Sequence, residues 1–162
     1  MDRSISAVAF LDGVPLVRVE TSVDIDMATA DVFHYATAPY LWHTWHPATA
    51  AVSGVPSRPI GLGETVRERI HVGLKRFETT WTVVECRAPD TWVIVTDSGQ
   101  GVARIRYIVA PLAGGARFTR ILEYRSRVWP WRWIDSSLMR WILTRQSRRA
   151  LDQLKKVLEE TH

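Results

Sequence analysis

The strongest constraint on this chain of 162 residues is a stretch near its C-terminus, residues 132–160, that contains no glycine and no proline. As one helix at about 1.5 Å per residue it runs roughly 40 Å, longer than a strand of five or six residues can cover. Several strands must therefore cross it at an angle. In its second half Leu143, Ser147, Ala150, Leu151, Leu154, Val157 and Leu158 recur at three- and four-residue spacing, while Arg148, Arg149, Asp152, Lys155 and Lys156 take the other side. The first half differs. Ile134, Leu138, Met139, Trp141, Ile142 and Leu143 spread around much of the circumference, which calls for cover on more than one side.

A chain of this length fits one domain and buries roughly 70% of its unfolded surface, so its core needs neither disulfides nor a structural metal. The single Cys86 reads as a buried thiol in a strand-like run. The apolar run 5–11 is short and ends at Asp12-Gly13, which argues against a signal peptide, and no apolar run reaches the eighteen or so residues of a membrane span. The expected location is the cytoplasm. The net charge of +4 is unevenly placed: residues 101–150 carry 11 basic and 2 acidic side chains. No nucleic-acid motif accompanies them, so the reading is a solvated arginine-rich face and no nucleic-acid partner. Four of the eight tryptophans, Trp129, Trp131, Trp133 and Trp141, fall within thirteen residues, as cavity wall, core or membrane-surface anchors.

In chain order, residues 4–19 have the form of a hairpin turning at Asp12-Gly13. Val17, Val19, Thr21, Val23 and Ile25 then alternate with polar residues as a half-buried strand. Thr29 is the expected N-cap of a short helix holding Val32, Phe33 and Ala36, and a second short helix spans 40–45 until His46-Pro47 stops it. Strands follow at 50–55, 64–72, 75–87, 92–97, 102–111 and 117–127, joined by short turns that force antiparallel pairing. Period two places Ala103, Ile105, Tyr107 and Val109 on the core face of one strand, and Phe77, Thr79, Trp81 and Val83 on that of another. It also sets Arg120 among Phe118, Leu122 and Tyr124. An arginine on an apolar face needs a partner or a water-filled cavity, because a desolvated unpaired charge costs several kcal/mol. That conflict points to a pocket.

This order of elements resembles the helix-grip fold of the START and Bet v 1-like (SRPBCC) superfamily, and most closely its bacterial polyketide cyclase/dehydrase and lipid-transport branch. The local carriers are Ala30-Asp31-Val32-Phe33, Trp45-His46-Pro47, Pro59-Ile60-Gly61-Leu62-Gly63, Trp81-Thr82-Val83-Val84-Glu85 and Gly114-Gly115. The resemblance implies an α+β domain over residues 17–160, in which a curved antiparallel sheet of about six or seven strands wraps the long helix. Residues 1–16 lie outside the pattern, as an extension, an extra hairpin strand or a homodimer contact. The resemblance further implies a cavity between sheet and helix for a lipid, polyketide or similar apolar or aromatic molecule. Burying about 200 Å² of ligand hydrocarbon would contribute on the order of 5 kcal/mol before entropy losses.

The candidate cavity residues are Trp45, Phe77, Trp81, Tyr107 and Arg120, with Leu138, Trp141 and Arg145 on the helix side. His43, His46 and His71 are candidate acid/base groups. The i, i+3 spacing of His43 and His46 would suit a metal, but no carboxylate or cysteine lies close in sequence to complete a ligand set, so neither metal nor cofactor is expected. Two further roles remain open for the same chain: a cyclase or dehydratase in which a cavity base removes a proton beside a carbonyl, and a transient membrane or protein contact through the Trp/Arg-rich segment 125–149.

Overall fold

Alternation is the first thing the computed structural model shows: along β1 (Val17–Ile25), Val19, Thr21 and Ile25 are buried while Arg18, Glu20, Ser22 and Asp24 are exposed. The structure describes residues 17–72, 75–99, 101–126 and 136–160. After β1 come α1 (Thr29–Ala36), a 3-10 turn (Pro39–Leu41) and α2 (Trp42–Trp45). Six more strands follow, β2 (Thr49–Ser53), β3 (Thr65–Val72), β4 (Lys75–Arg87), β5 (Thr91–Ser98), β6 (Gly101–Leu112) and β7 (Gly115–Ser126), and then α3 (Ser136–Glu160).

The strands form one antiparallel sheet in the order β1-β7-β6-β5-β4-β3-β2. The two short helices carry the chain from one edge of the sheet to the other. The meander then returns strand by strand until β7 lies against β1, with Thr21 opposite Arg120 and Val23 opposite Phe118. The curled sheet and the long helix make the helix-grip fold. On the gripping face Trp81, Ile94, Ile105 and Phe118 are buried, as period two requires.

The helix supplies the other half of the core. Ala150, Leu151, Leu154 and Leu158 are buried, each leucine contributing roughly 1.5–3 kcal/mol. Polar contacts hold its C-terminal end to the end of β1: Lys155 Nζ donates to the Asp24 carbonyl at 2.7 Å, and Glu159 accepts from the Asp26 amide at 3.0 Å.

Several local expectations are corrected. Thr29 begins α1 instead of capping it; the cap is Ala28, whose carbonyl accepts from the Asp31 and Val32 amides while no side chain takes part. The expected single helix over 40–45 divides, because Pro39 opens a 3-10 turn before α2 begins. His46 is extended (φ −102, ψ 102), as a residue before proline prefers. The first turns of α3 are not covered all round: Leu138 is 52% and Trp141 59% exposed. The expected hairpin turn at 12–13, the start of the helix at 132, and Trp129, Trp131 and Trp133 lie outside the described residues.

Candidate ligand site in the cavity

Between the sheet and α3 lies a cavity of ≈ 200 Å³. Its wall is largely apolar. Trp42 and Trp45 close it from the short-helix side, Ile94, Ile105 and Leu122 from the sheet, and Met139, Leu143 and Gln146 from the helix. The aromatic packing around it is edge-on for Trp45 against Tyr107 and Phe118, with centroids 6.2 and 6.3 Å apart, and stacked for Trp92 on Tyr107 at 5.2 Å. Such rings are held from several sides and give the wall a fixed shape.

One part of that wall is polar. Arg120 of β7 is 4% exposed, and so is Glu68 of β3. Arg120 Nη1 donates to Ser147 Oγ of α3 at 3.1 Å, and Ser147 in turn meets Thr21 Oγ1 of β1 at 2.6 Å. Arg120 Nη2 reaches His46 Nε2 at 3.3 Å. On the far side of the ring His46 Nδ1 lies 3.1 Å from Thr49 Oγ1, and Thr49 donates to Glu68 Oε1. Trp81 Nε1 donates to Glu68 Oε2 at 2.6 Å.

These contacts fix the direction of the protons around His46. Arginine has only donors, so His46 Nε2 must accept; Thr49 gives its single proton to Glu68, so His46 Nδ1–H must donate to Thr49. His46 is therefore neutral, with the proton on Nδ1. Its electrostatics agree, since burial and then the Arg120 charge hold it down at about 3. Glu68 is pushed upward by burial, against the pull of Thr49, Trp81 and Arg120. Burial likewise drives Tyr107 up to about 12, keeping its phenol a donor.

Two buried N–H groups on the cavity wall have no partner among the described residues, Trp45 Nε1 and Arg120 Nε. Nor does any ion pair of the described residues include Arg120.

A model of the family described as polyketide cyclase / dehydrase and lipid transport matches residues 17–159. The chain belongs to that family. Among curated protein sequences none is significantly similar to it. Solved structures share the fold at low identity. A START superfamily protein from Mycobacterium smegmatis is 10% identical, with a TM-score of 0.75 over 90% of this chain and 99% of its own. A protein from Thermus thermophilus is 15% identical, with a TM-score of 0.73 over 90% of this chain and 99% of its own. The di-domain ARO/CYC StfQ from the steffimycin biosynthetic pathway is 15% identical, with a TM-score of 0.68 over 90% of this chain and 51% of its own. Polyketide cyclase / dehydrase family membership and these likenesses agree on a ligand-binding fold.

Within this family member the expected site residues separate by position. Trp45, Phe77, Trp81, Tyr107 and Arg120 all line the cavity, and His46 joins them. His43 is exposed at α2, and His71 lies near the end of β3 beside a different surface hollow. Leu138, Trp141 and Arg145 sit on the outer side of α3, where Arg145 lies 5.7 Å over the Trp141 ring. The helix side of the cavity is Met139, Leu143 and Gln146 instead, because each residue turns a helix by about 100° and a shift of one position moves a side chain off the wall.

Sequence reasoning missed Glu68, Thr49 and Ser147. Glu68 had a readable signal: it stands between Val66 and Ile70 at period two, the same conflict that singled out Arg120. Ser147 had one too, as a hydroxyl on the apolar side of the long helix, although its role in the cavity was not read from it; Thr49 carried none, since only the fold brings β2 to the same wall. Among the described residues no three His, Cys, Asp or Glu side chains are grouped to hold a metal, and no helix is long and apolar enough to cross a membrane.

Proposed function

We propose that this protein binds a small, largely apolar molecule, an aromatic compound or the apolar part of a lipid or polyketide, between the sheet and α3. The observation that carries the reading is an apolar cavity of ≈ 200 Å³ with its polar groups gathered on one part of the wall. A dry cavity of about 150 Å³ admits benzene, so this one suits one or two rings. Apolar walls supply affinity and the polar cluster supplies orientation. The test is titration with 2-naphthoate followed by tryptophan fluorescence and native mass spectrometry. We expect one molecule bound per chain and at least tenfold weaker binding by Ala103→Trp, which fills the space beside Ile105. No bound aromatic molecule, or binding indifferent to Ala103→Trp, refutes the reading.

A cyclase or dehydratase reading is favoured by Glu68, a buried carboxylate in the same cavity as Arg120, with a proton affinity that burial has raised. In it Glu68 takes a proton beside a carbonyl and Arg120 steadies the enolate oxygen. Incorporation of solvent deuterium next to the carbonyl of 2-tetralone, lost in Glu68→Gln, is its expected signature. Absence of exchange in the unmodified protein counts against it.

A further inference from the structure

The guanidinium groups of Arg117 and Arg120 provide a direct comparison of what one edge of this group does in two settings. On the outer face Arg117 uses Nε and Nη2 together, holding Asp24 Oδ1 at 2.7 Å and Oδ2 at 2.9 Å in the bidentate geometry that suits a carboxylate. On the cavity side Arg120 presents the same edge incompletely filled. Its Nη1 is taken by Ser147 and the Tyr107 phenol lies against the same guanidinium, but Nε has no partner and the Nη2 contact to His46, at 3.3 Å, is the longest in the network.

We propose that this edge is a carboxylate site, and that the molecule the cavity takes is an apolar monocarboxylic acid of one or two rings, its carboxylate on Arg120 where His46 Nε2 now makes its long contact. The proposal rests on the small-molecule reading above and adds the ligand's charge. Three features carry it. Both unpartnered polar atoms on the cavity wall, Arg120 Nε and Trp45 Nε1, are donors, so the wall lacks acceptors. The one carboxylate nearby, Glu68, already receives protons from Thr49 and Trp81. Finally, His46 needs no new proton to give way, because its Nδ1–H bond to Thr49 survives the loss of Arg120. A buried guanidinium is costly without a counter-charge, and a ligand carboxylate provides one in a setting where its hydrogen bonds are charge-assisted.

The test compares 2-naphthoate with 2-naphthamide, which has nearly the same shape and no charge, by isothermal titration at pH 7.5. In the unmodified protein the acid should bind roughly 10- to 100-fold more tightly, the worth of a charged hydrogen bond. Arg120→Met should bring the acid down to the affinity of the amide, while Arg117→Ala, on the outer face of the same strand, should keep the preference. The unmodified protein alone decides the point if Arg120→Met does not fold. Equal binding of acid and amide overturns the carboxylate site and leaves the small-molecule reading standing; binding of neither ligand overturns both.

Discussion

Arg117 and Arg120 lie three residues apart on β7, and their environments are opposites. An odd spacing along a strand sends two side chains to opposite faces. Arg117 meets a carboxylate at the exposed edge pair with β1, whereas Arg120 enters a wall of tryptophan and leucine and meets only a hydroxyl, an imidazole and the Tyr107 ring with its phenol. Folding supplied a counter-charge where water already screens the cation and none within ion-pair distance where it does not. A cation that stabilised the fold would be placed the other way round. The cavity-side arginine is thus a cost the fold carries, and its neighbours are arranged to bear it: Ser147 takes one proton, His46 is held neutral, and Glu68 lends charge from a distance.

The largest break in this comparison should come from acid. Unfolded, His46 titrates near 6.5; folded, it is held at about 3 by burial first and the Arg120 charge second. Below 6.5 the unfolded chain binds a proton that the folded chain refuses, so stability contributed by the neutral ring is lost as pH falls from 6.5 toward 3. Glu68 has the opposite sign. Its folded carboxyl prefers the proton, so its contribution falls as pH rises above 4.5. His46→Asn keeps a donor and an acceptor at the site but does not titrate. Measured by urea denaturation, its stability relative to the unmodified protein should rise by about 3 kcal/mol between pH 7 and pH 4. Parallel stability curves for the two proteins would show that His46 is not held neutral by its surroundings.

The next effect is smaller and tests whether the buried charges are a cost. Removing both together in Arg120→Met/Glu68→Gln leaves no ion unbalanced, and the apolar methionine refills the wall. Without ligand this variant should be more stable by about 1–3 kcal/mol at pH 7, and should lose the preference for an acid over its amide. A double variant less stable than the parent would place the two charges among the supports of the fold, and the contrast between the two arginines would fail.

How much of this was legible in the sequence follows from how far apart the partners lie. Strand alternation is local, so β4 was readable at its observed bounds and Phe118, Arg120 and Leu122 were assigned to one face before any contact was known. The amphipathic half of α3 was equally local: Ala150, Leu151 and Leu154 face the sheet because their spacing allows nothing else. The apolar first turns were not, because nearly every direction there looked inward, and periodicity cannot choose among apolar faces. Hence Met139 and Leu143 reached the wall while Leu138 and Trp141 remained outside. The polar network was the least legible part. Thr21 and Ser147 are 126 positions apart, and Arg120 and His46 are 74 apart, so no spacing rule joins them.

The smallest effect is expected on the outer face, and it completes the comparison. Arg117→Ala removes both hydrogen bonds to Asp24, a bidentate pair that holds the Asp24 carboxyl below its usual range, with the Arg117 hydrogen bond as the largest cause. Both side chains are about half exposed, so water and salt take over what each loses. Asp24 also keeps Lys155 near by, through the bond from Lys155 to its backbone carbonyl. The denaturation midpoint should therefore move only slightly in low salt and become indistinguishable from the parent in 1 M sodium chloride, with acid binding unchanged. A large loss of stability, or one that persists in high salt, would mean that the outer pair holds β1 to β7 and that the two arginines differ in position more than in role. If instead the midpoint barely moves while Arg120 variants change binding, geometry that looks ideal on the surface is the less consequential of the two, and the incomplete shell around Arg120 is where β7 acts.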